Sequence, residues 1–324
     1  DFVESLESAK SEAKKAFGDD KVLLEKYIQN PRHIEIQVFG DEHGNYLHFY
    51  ERECSIQRRY QKIVEESPSL ALDQQKREEI AQTAVKIAES IQYQGAGTVE
   101  FIVDDKLNFY FLEMNTRLQV EHPVTEEITG VDLVKEQIKI AEGEKLPFKQ
   151  ADLKISGHAV ELRVYAEDPA NNFLPDIGTL HTYKRPQGPG VRVDDGFEQG
   201  MDIPIHYDPM IAKLVTYAGT RELAIKRMLR AISEYEISGI ETTLAFGDYV
   251  LNHESFVSGK FDTKFVENFF APEKLKGKEN IEEREIAAVL GAMLVKETKQ
   301  AVENTTQNSA TKKSNWKRRA WRNR

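Results

Sequence analysis

The chain has 324 residues, a formal net charge of −10, 40% hydrophobic residues, eight histidines and a single cysteine. That length exceeds one ordinary domain and supports a large core, the acidic balance argues against bulk nucleic-acid binding, and no run approaches the ~18 apolar residues of a membrane span. The lone Cys54 excludes an internal disulfide and a cysteine-rich zinc site, and suits a reducing setting: the cytoplasm, or the mitochondrial matrix if a leader lies upstream.

Phe2, Val3, Leu6, Ala9, Ala13, Ala16 and Phe17 recur at helical spacing, and Gly18 ends that helix. A chain that opens with Asp1 inside an amphipathic helix reads as a fragment. Residues 22–28 are short and apolar-rich, which predicts a strand. Residues 32–39 alternate His33, Glu35 and Gln37 against Ile34, Ile36 and Val38, a strand with one apolar face. A turn at 41–45 leads to a second strand at 46–51. Residues 55–66 are dense in charge and amide groups.

A helix is predicted over 73–91, with Asp73 as its N-cap and Ile80, Ala84, Ile87, Ala88 and Ile91 as its stripe. Strands at 98–103 and 108–112 flank the turn 104–107. Another helix, 131–142, closes at Gly143. The character changes after Pro147: a strand at 158–166, a Gly/Pro-rich stretch at 185–190, short strands to Tyr217, and a helix from Thr220. A boundary near 145–156 therefore divides the chain into 1–150, 151–270 and an extension, 271–324. The extension carries one helical segment (281–296), a polar stretch (304–309) expected to be disordered, and a tail. That tail, 312–324, has seven basic residues and no acidic one, with Trp316 and Trp321 among them. It reads as a solvated or partly docked run.

The most informative segment is 113–121, where Glu113, Asn115, Arg117, Gln119 and Glu121 fall at strict period two. An extended chain would put all five on one face. They follow directly from Phe109, Tyr110, Phe111 and Leu112, an apolar run expected to be buried. If straight, the five would span about 26 Å at ~3.3 Å per residue, so the segment bends or serves several ligands. Pairing 98–103 with 108–113 sets Glu100 opposite Phe111, with Glu113 on the diagonal. Two carboxylates that close call for a cation, and hard oxygen donors select Mg²⁺ or Mn²⁺, with Asn115 as a neutral third ligand. A Mg²⁺ held by two carboxylates and phosphates is a nucleotide-site arrangement. Neither a Walker A loop nor a G-x-G-x-x-G fingerprint is present. Phosphates would instead meet His33, Gln57, Arg58, Arg59 and Lys62, a basic, amide-rich cluster.

Taken together, these stretches resemble the biotin carboxylase family within the ATP-grasp superfamily. The likeness is carried by residues 25–28 (EKYI), 30–38 (NPRHIEIQV), 54–59 (CSIQRR), 95–101 (GAGTVEF), 113–117 (EMNTR), 119–126 (QVEHPVTE) and 157–161 (GHAVE). It covers roughly residues 1–270. It implies an α+β chain: the C-terminal part of an ATP-grasp fold followed by a biotin carboxylase C-terminal domain. It also implies the reaction: ATP activates bicarbonate as carboxyphosphate, and the carboxyl group moves to N1′ of biotin on a carrier.

Position by position, the resemblance gives Glu25, Lys26 and Ile28 the adenine and hinge contacts, and His33, Gln57 and Lys62 the ribose and phosphate contacts. Glu100 and Glu113 become the metal-bridging carboxylates, assisted by Asn115. Arg117 becomes the catalytic arginine and Glu121 the base that deprotonates bicarbonate. Gln119 and Val120 lie beside Glu121 in the bicarbonate pocket, and Arg163 supports bicarbonate and the biotin enolate. The implied cofactors are ATP, Mg²⁺ or Mn²⁺, and carrier-borne biotin. The implied partners are a biotin carboxyl carrier protein or domain, a carboxyltransferase subunit and, for the intact protein, a second copy; neither nucleic acid nor membrane is among them.

The sequence departs from the family pattern at Tyr60, where many members carry histidine. It also lacks counterparts of the family's N-terminal domain and glycine-rich lid, so the 324-residue chain alone is expected to be inactive or nearly so. No Ala-Met-Lys-Met biotinylation motif is present, which places the biotin acceptor elsewhere. Two rivals make different predictions: another ATP-grasp ligase, such as one forming carbamoyl phosphate, and a non-catalytic assembly subunit with the same fold.

Overall fold

The structure, a computed structural model, describes residues 1–204, 207–275 and 289–293. Asp1–Pro272 form one compact unit and Glu273–Arg324 a second. In the second unit, residues 289–293 are helical. The rest of the helix expected at 281–296, the polar stretch 304–309 and the basic tail lie outside the described residues.

The first unit is built on an antiparallel sheet of eight strands. Its strands are β1 (Arg32–Gly40), β2 (Tyr46–Arg58), β3 (Gln61–Ser67), β4 (Gly95–Val103), β5 (Phe109–Asn115) and β6 (His158–Tyr165). Two-residue β7 (Glu167–Asp168) and β8 (Leu174–Pro175) pair with each other, as do β9 (Thr182–Lys184) and β12 (Glu236–Ser238). β10 (Val191–Asp195) and β11 (Met210–Ala218) complete the large sheet, in the order β10-β11-β6-β3-β2-β1-β4-β5. The sheet passes without a break from β3 to β6.

Helices cover this sheet. α1 (Phe2–Phe17) ends on Gly18 in the left-handed region but buries no residue. α2 (Gln74–Ser90) starts where Asp73 accepts from the Lys76 backbone N–H, and packs Ile80, Ala81, Ala84 and Ala88 onto Ile34, Ile36, Val38, Val99 and Phe101. α3 (His122–Thr129) lays Val124 and Ile128 against Ala159 and Val215. α4 (Leu133–Ala141) adds Leu133 and Ile140 to a cluster with Phe39 and Phe49. α5 (Arg221–Glu234), capped by Thr220, and α6 (Leu244–Asn252) close the largest cluster, around Leu162, Leu214, Met228 and Phe246. The short helices α7 (Glu254–Val257) and α8 (Phe265–Phe269) bury Phe256 and Phe265 in the same cluster.

Coverage of both faces makes the polar side of β1 a buried one. His33, Glu35 and Gln37 are all buried, although alternation alone reads them as a water face.

Three expectations are corrected. Residues 22–28 form no strand: they have no partner to complete a ladder, and Leu23 and Leu24 are 83% and 70% exposed. The run 109–112 is not buried, because β5 is the sheet's edge; Phe111 and Leu112 are 56% and 47% exposed. The β4–β5 register also differs. Asp104 accepts from the Lys106 and Asn108 backbone N–H groups and wraps a longer turn, so Phe111 opposes Phe101. A bulge at Leu112 then sets Glu113 directly opposite Glu100, not diagonal to it. Of the two outcomes the length of 113–121 allowed, the bend is the one seen: the extended segment stops at Asn115 and turns into α3, so Arg117, Gln119 and Glu121 leave the sheet.

Candidate functional site

Register builds one row across four strands. Arg52 on β2 pairs with Glu35 on β1, Glu35 with Glu100 on β4, and Glu100 with Glu113 on β5. Three carboxylates side by side would repel one another, and cations are threaded between them. Lys62, from β3, donates to Glu35 Oε2 at 2.5 Å, to Glu100 Oε1 at 3.2 Å and to Glu121 Oε1 at 2.5 Å. Burial favours the neutral forms of Glu35 and Glu100. For Glu35 the Lys62 and Arg52 charges outweigh it, and for Glu100 the His33 hydrogen bond and the Lys62 charge do, so both are held at about 2. Burial likewise opposes the Lys62 charge, but Glu35 leads the groups that keep its pKa above the ordinary lysine value.

The bend after β5 delivers the rest. Gln119 donates to Glu100 Oε1 at 2.6 Å. Glu121, buried at the start of α3, offers its second oxygen to Arg163 NH2 at 2.9 Å. Lys213 donates to the Val120 carbonyl at 3.0 Å. Arg117 is exposed, and its guanidinium donates to Leu118 O and Asn115 Oδ1, at 3.3 and 3.4 Å.

His33, Gln57, Lys62, Glu100, Glu113, Asn115, Arg117, Gln119, Val120, Glu121 and Arg163 all line one cleft of about 1130 Å³. Glu25, Lys26 and Ile28 do not; Lys26 lies over the Tyr110 ring instead, and Tyr27 beside it reaches the cleft. Tyr60 is at the rim, 96% exposed, in the two-residue β2–β3 turn where it and Arg59 both have positive φ (66° and 49°). That left-handed pair is the backbone a tight hairpin demands, held here without glycine or asparagine.

The donor set suits a hard divalent cation. Asn115 Nδ2 donates to Glu100 Oε1 at 2.9 Å and to Glu113 Oε1 at 3.0 Å, so one group already spans both carboxylates. Turned over, the same amide presents its oxygen, which completes an all-oxygen set fit for Mg²⁺ or Mn²⁺ with phosphates. The groups His33–Glu35–Glu100 and Glu35–Cys54–Glu121 are also close enough to hold an ion. The Lys62 ammonium, however, is already bonded to carboxylates of both groups.

Several residues escaped the sequence reading as site members: Glu35, Arg52, Glu65, Glu161 and Lys213. The one partial signal was Glu51-Arg52-Glu53, three successive charges at the end of the strand expected at 46–51, which does not say which of them turns inward. Glu65 stands opposite Glu161 across β3–β6, and both are fully buried. Glu65 Oε1 accepts from Arg163 Nε at 2.5 Å, while Glu65 Oε2 and both Glu161 oxygens have no hydrogen-bond partner. Burial, against the Arg163 charge, raises Glu65 to about 7; burial and the Glu65 charge raise Glu161 well above the ordinary range.

An acid whose pKa rises on folding adds stability that is complete below its unfolded value, near 4.5, and is lost as pH climbs through the folded one. Stability should therefore fall as pH rises from about 5 through about 7. Glu161→Gln should flatten that fall in denaturation curves taken at both pH values. An unchanged slope would show that this pair is not its source.

Residues 1–149 match the family described as carbamoyl-phosphate synthase L chain, ATP binding domain, and residues 161–268 match the biotin carboxylase C-terminal domain. The mitochondrial propionyl-CoA carboxylase alpha chain of Homo sapiens is 56% identical over 268 residues, 82% of this chain and 37% of that one. Biotin carboxylase 1 of Bacillus subtilis is 53% identical over 270 residues, 83% of this chain and 60% of that one. Among solved structures, the biotin carboxylase domain dimer of the 2-oxoglutarate carboxylase of Hydrogenobacter thermophilus, in complex with MgADP, ADP and bicarbonate, has a TM-score of 0.78 at 51% identity, covering 82% of this chain and 58% of that one. The chain thus spans less than two thirds of the length of each of these relatives, and little more than one third of the first.

Proposed function

The chain belongs to the biotin carboxylase family, and from that membership we propose that the whole protein carboxylates biotin, using ATP to activate bicarbonate as carboxyphosphate. One observation carries the proposal: Glu121, the candidate base, is held by Lys62 and Arg163 beside the registered carboxylates Glu100 and Glu113. A proton acceptor, two cations and a hard-metal donor set in one cleft are what phosphoryl transfer to an oxyanion requires.

In this reading Glu121 takes the proton of bicarbonate, and Arg163 and Lys62 hold the anion that results. Gln119 and the backbone at Val120 frame the anion. Arg117, exposed at the cleft, meets the reacting groups when biotin enters, and Arg163 steadies the negative charge that develops on the biotin oxygen. Glu100, Glu113 and Asn115 would hold Mg²⁺ or Mn²⁺, which neutralises phosphate charge. His33, Gln57 and Lys62 face the ribose and phosphates. Family resemblance alone assigns the adenine and hinge contacts to Glu25, Lys26 and Ile28, which lie outside the lining of this cleft.

The two family models support a division near residue 150 between an ATP-grasp part and a carboxylase C-terminal part. The relatives are named as subunits or domains of carboxylases, which supports a biotin carboxyl carrier, a carboxyltransferase and a second copy of the chain as partners. Among the described residues no helix is long and apolar enough to cross a membrane. The buried free thiol of Cys54 supports a reducing compartment, cytoplasmic or, as in several relatives, mitochondrial.

The test is ATP turnover by the full-length protein with bicarbonate. Stimulation by free biotin supports the proposal. Stimulation by ammonia alone would assign the carbamoyl-phosphate-forming alternative, and no turnover under either condition would favour an assembly subunit.

A further inference from the structure

Arg52 lies on β2, fully buried, with all five of its N–H groups placed. Nε donates to Glu35 Oε1 at 2.5 Å. One terminal nitrogen donates to Gln37 Oε1 at 2.8 Å and Thr125 Oγ1 at 3.0 Å. The other donates to Thr98 Oγ1 at 3.0 Å and Gln119 Oε1 at 2.8 Å. These acceptors come from β1, β4, α3 and the bend before α3, so the planar fork has one orientation available to it. Of the five, only Gln119 lines the cleft.

A glutamine amide is nearly symmetric in shape, and its polarity is set by its partners. Arg52 offers only donors, so it forces the Gln119 carbonyl oxygen inward. The NH₂ group must then face Glu100 and the cleft. Through Glu35, whose other oxygen accepts from Lys62, the same guanidinium also fixes the ammonium that touches Glu121.

We propose that Arg52 is a positioning residue that sets the polarity of Gln119, so that the cleft presents an N–H donor to an incoming oxyanion. The identification of that oxyanion as bicarbonate rests on the function proposed above.

The test uses the full-length protein. Arg52→Lys keeps the charge but loses the fork, and should raise the bicarbonate KM about ten-fold and the ATP KM by less than about two-fold, because the candidate phosphate contact Lys62 feels Arg52 only through Glu35. In a Gln119→Ala background the same substitution should add less than about two-fold, because the two residues act as one unit. An unchanged bicarbonate KM, or losses that multiply independently, would overturn the proposal. Should Arg52→Lys fail to fold, the double variant Thr98→Val/Thr125→Val loosens the fork without altering the cleft lining. It should raise the bicarbonate KM about three-fold, and an unchanged KM there is equally fatal. If the wild type shows no bicarbonate-dependent turnover, the functional reading fails, and the side-chain amide NMR signals of Gln119 decide this inference alone. In the wild type their chemical shifts should lie well away from those of a solvated glutamine, and in Arg52→Lys they should move toward those values; identical shifts in both would refute it.

Discussion

Replacing Glu121 with glutamine in the full-length protein should lower bicarbonate-dependent ATP turnover by about 10²–10⁴-fold, the usual worth of a positioned general base. The substitution is nearly isosteric, so packing at the start of α3 survives. What is lost is the second lone-pair-bearing oxygen and the charge. In the wild type one oxygen accepts from Lys62 and the other from Arg163. A glutamine can accept from one of them but must turn an NH₂ group toward the other, setting donor against donor. It also cannot take a proton from bicarbonate. Binding of ATP measured without bicarbonate should be unchanged, because the candidate phosphate and metal ligands are other residues. Turnover within a few-fold of the wild type, with folding intact, would remove Glu121 from the proton-transfer role and revive the non-catalytic alternative.

Much of this site could be read before any coordinates, and the part that could not has a physical reason. The alternation of 32–39 exposed its apolar stripe, and the caps Asp73 and Thr220 marked helix starts that the structure keeps. Glu113, Asn115, Arg117, Gln119 and Glu121 were visible as spacing, and all five line one cleft. Register was not legible, because it depends on how Asp104 wraps its turn and on a bulge at Leu112, neither of which shows in a period-two pattern. Nor was Arg52. Whether a charged residue in a strand faces water or the interior depends on what covers that face. Here α3 covers it from a distant part of the chain, and Thr125 supplies one of the acceptors. The burial predicted for Phe111 failed for the converse reason: β5 ends the sheet, and among the described residues no strand lies beyond it.

Lys62→Met should destabilise the protein by roughly 3–5 kcal/mol at neutral pH, the cost of stripping the counter-charge from buried partners. Methionine fills nearly the same volume, so the loss is electrostatic. Lys62 is shared by Glu35, Glu100 and Glu121, and its side chain is only 12% exposed. Without it, Glu35 keeps Arg52 and Glu100 keeps His33, but three carboxylates then face a common space with no cation in it. The sign of the pH dependence follows from Glu35 and Glu100, which the wild type holds at about 2. A lowered acid pKa contributes stability that is present above the unfolded value of 4.5 and disappears as pH falls through the folded one. The gap between wild type and variant should therefore be widest above about pH 5 and close as both approach pH 2. Denaturant titrations at neutral and acid pH would measure it. A penalty of constant size would mean that Lys62 serves through packing of its methylenes, and the row of registered carboxylates would need some other source of balance. A penalty that closes with acid makes Lys62 the ion that lets β1, β4 and the start of α3 bring their carboxylates together, which is the condition for having a base and a metal site in one cleft.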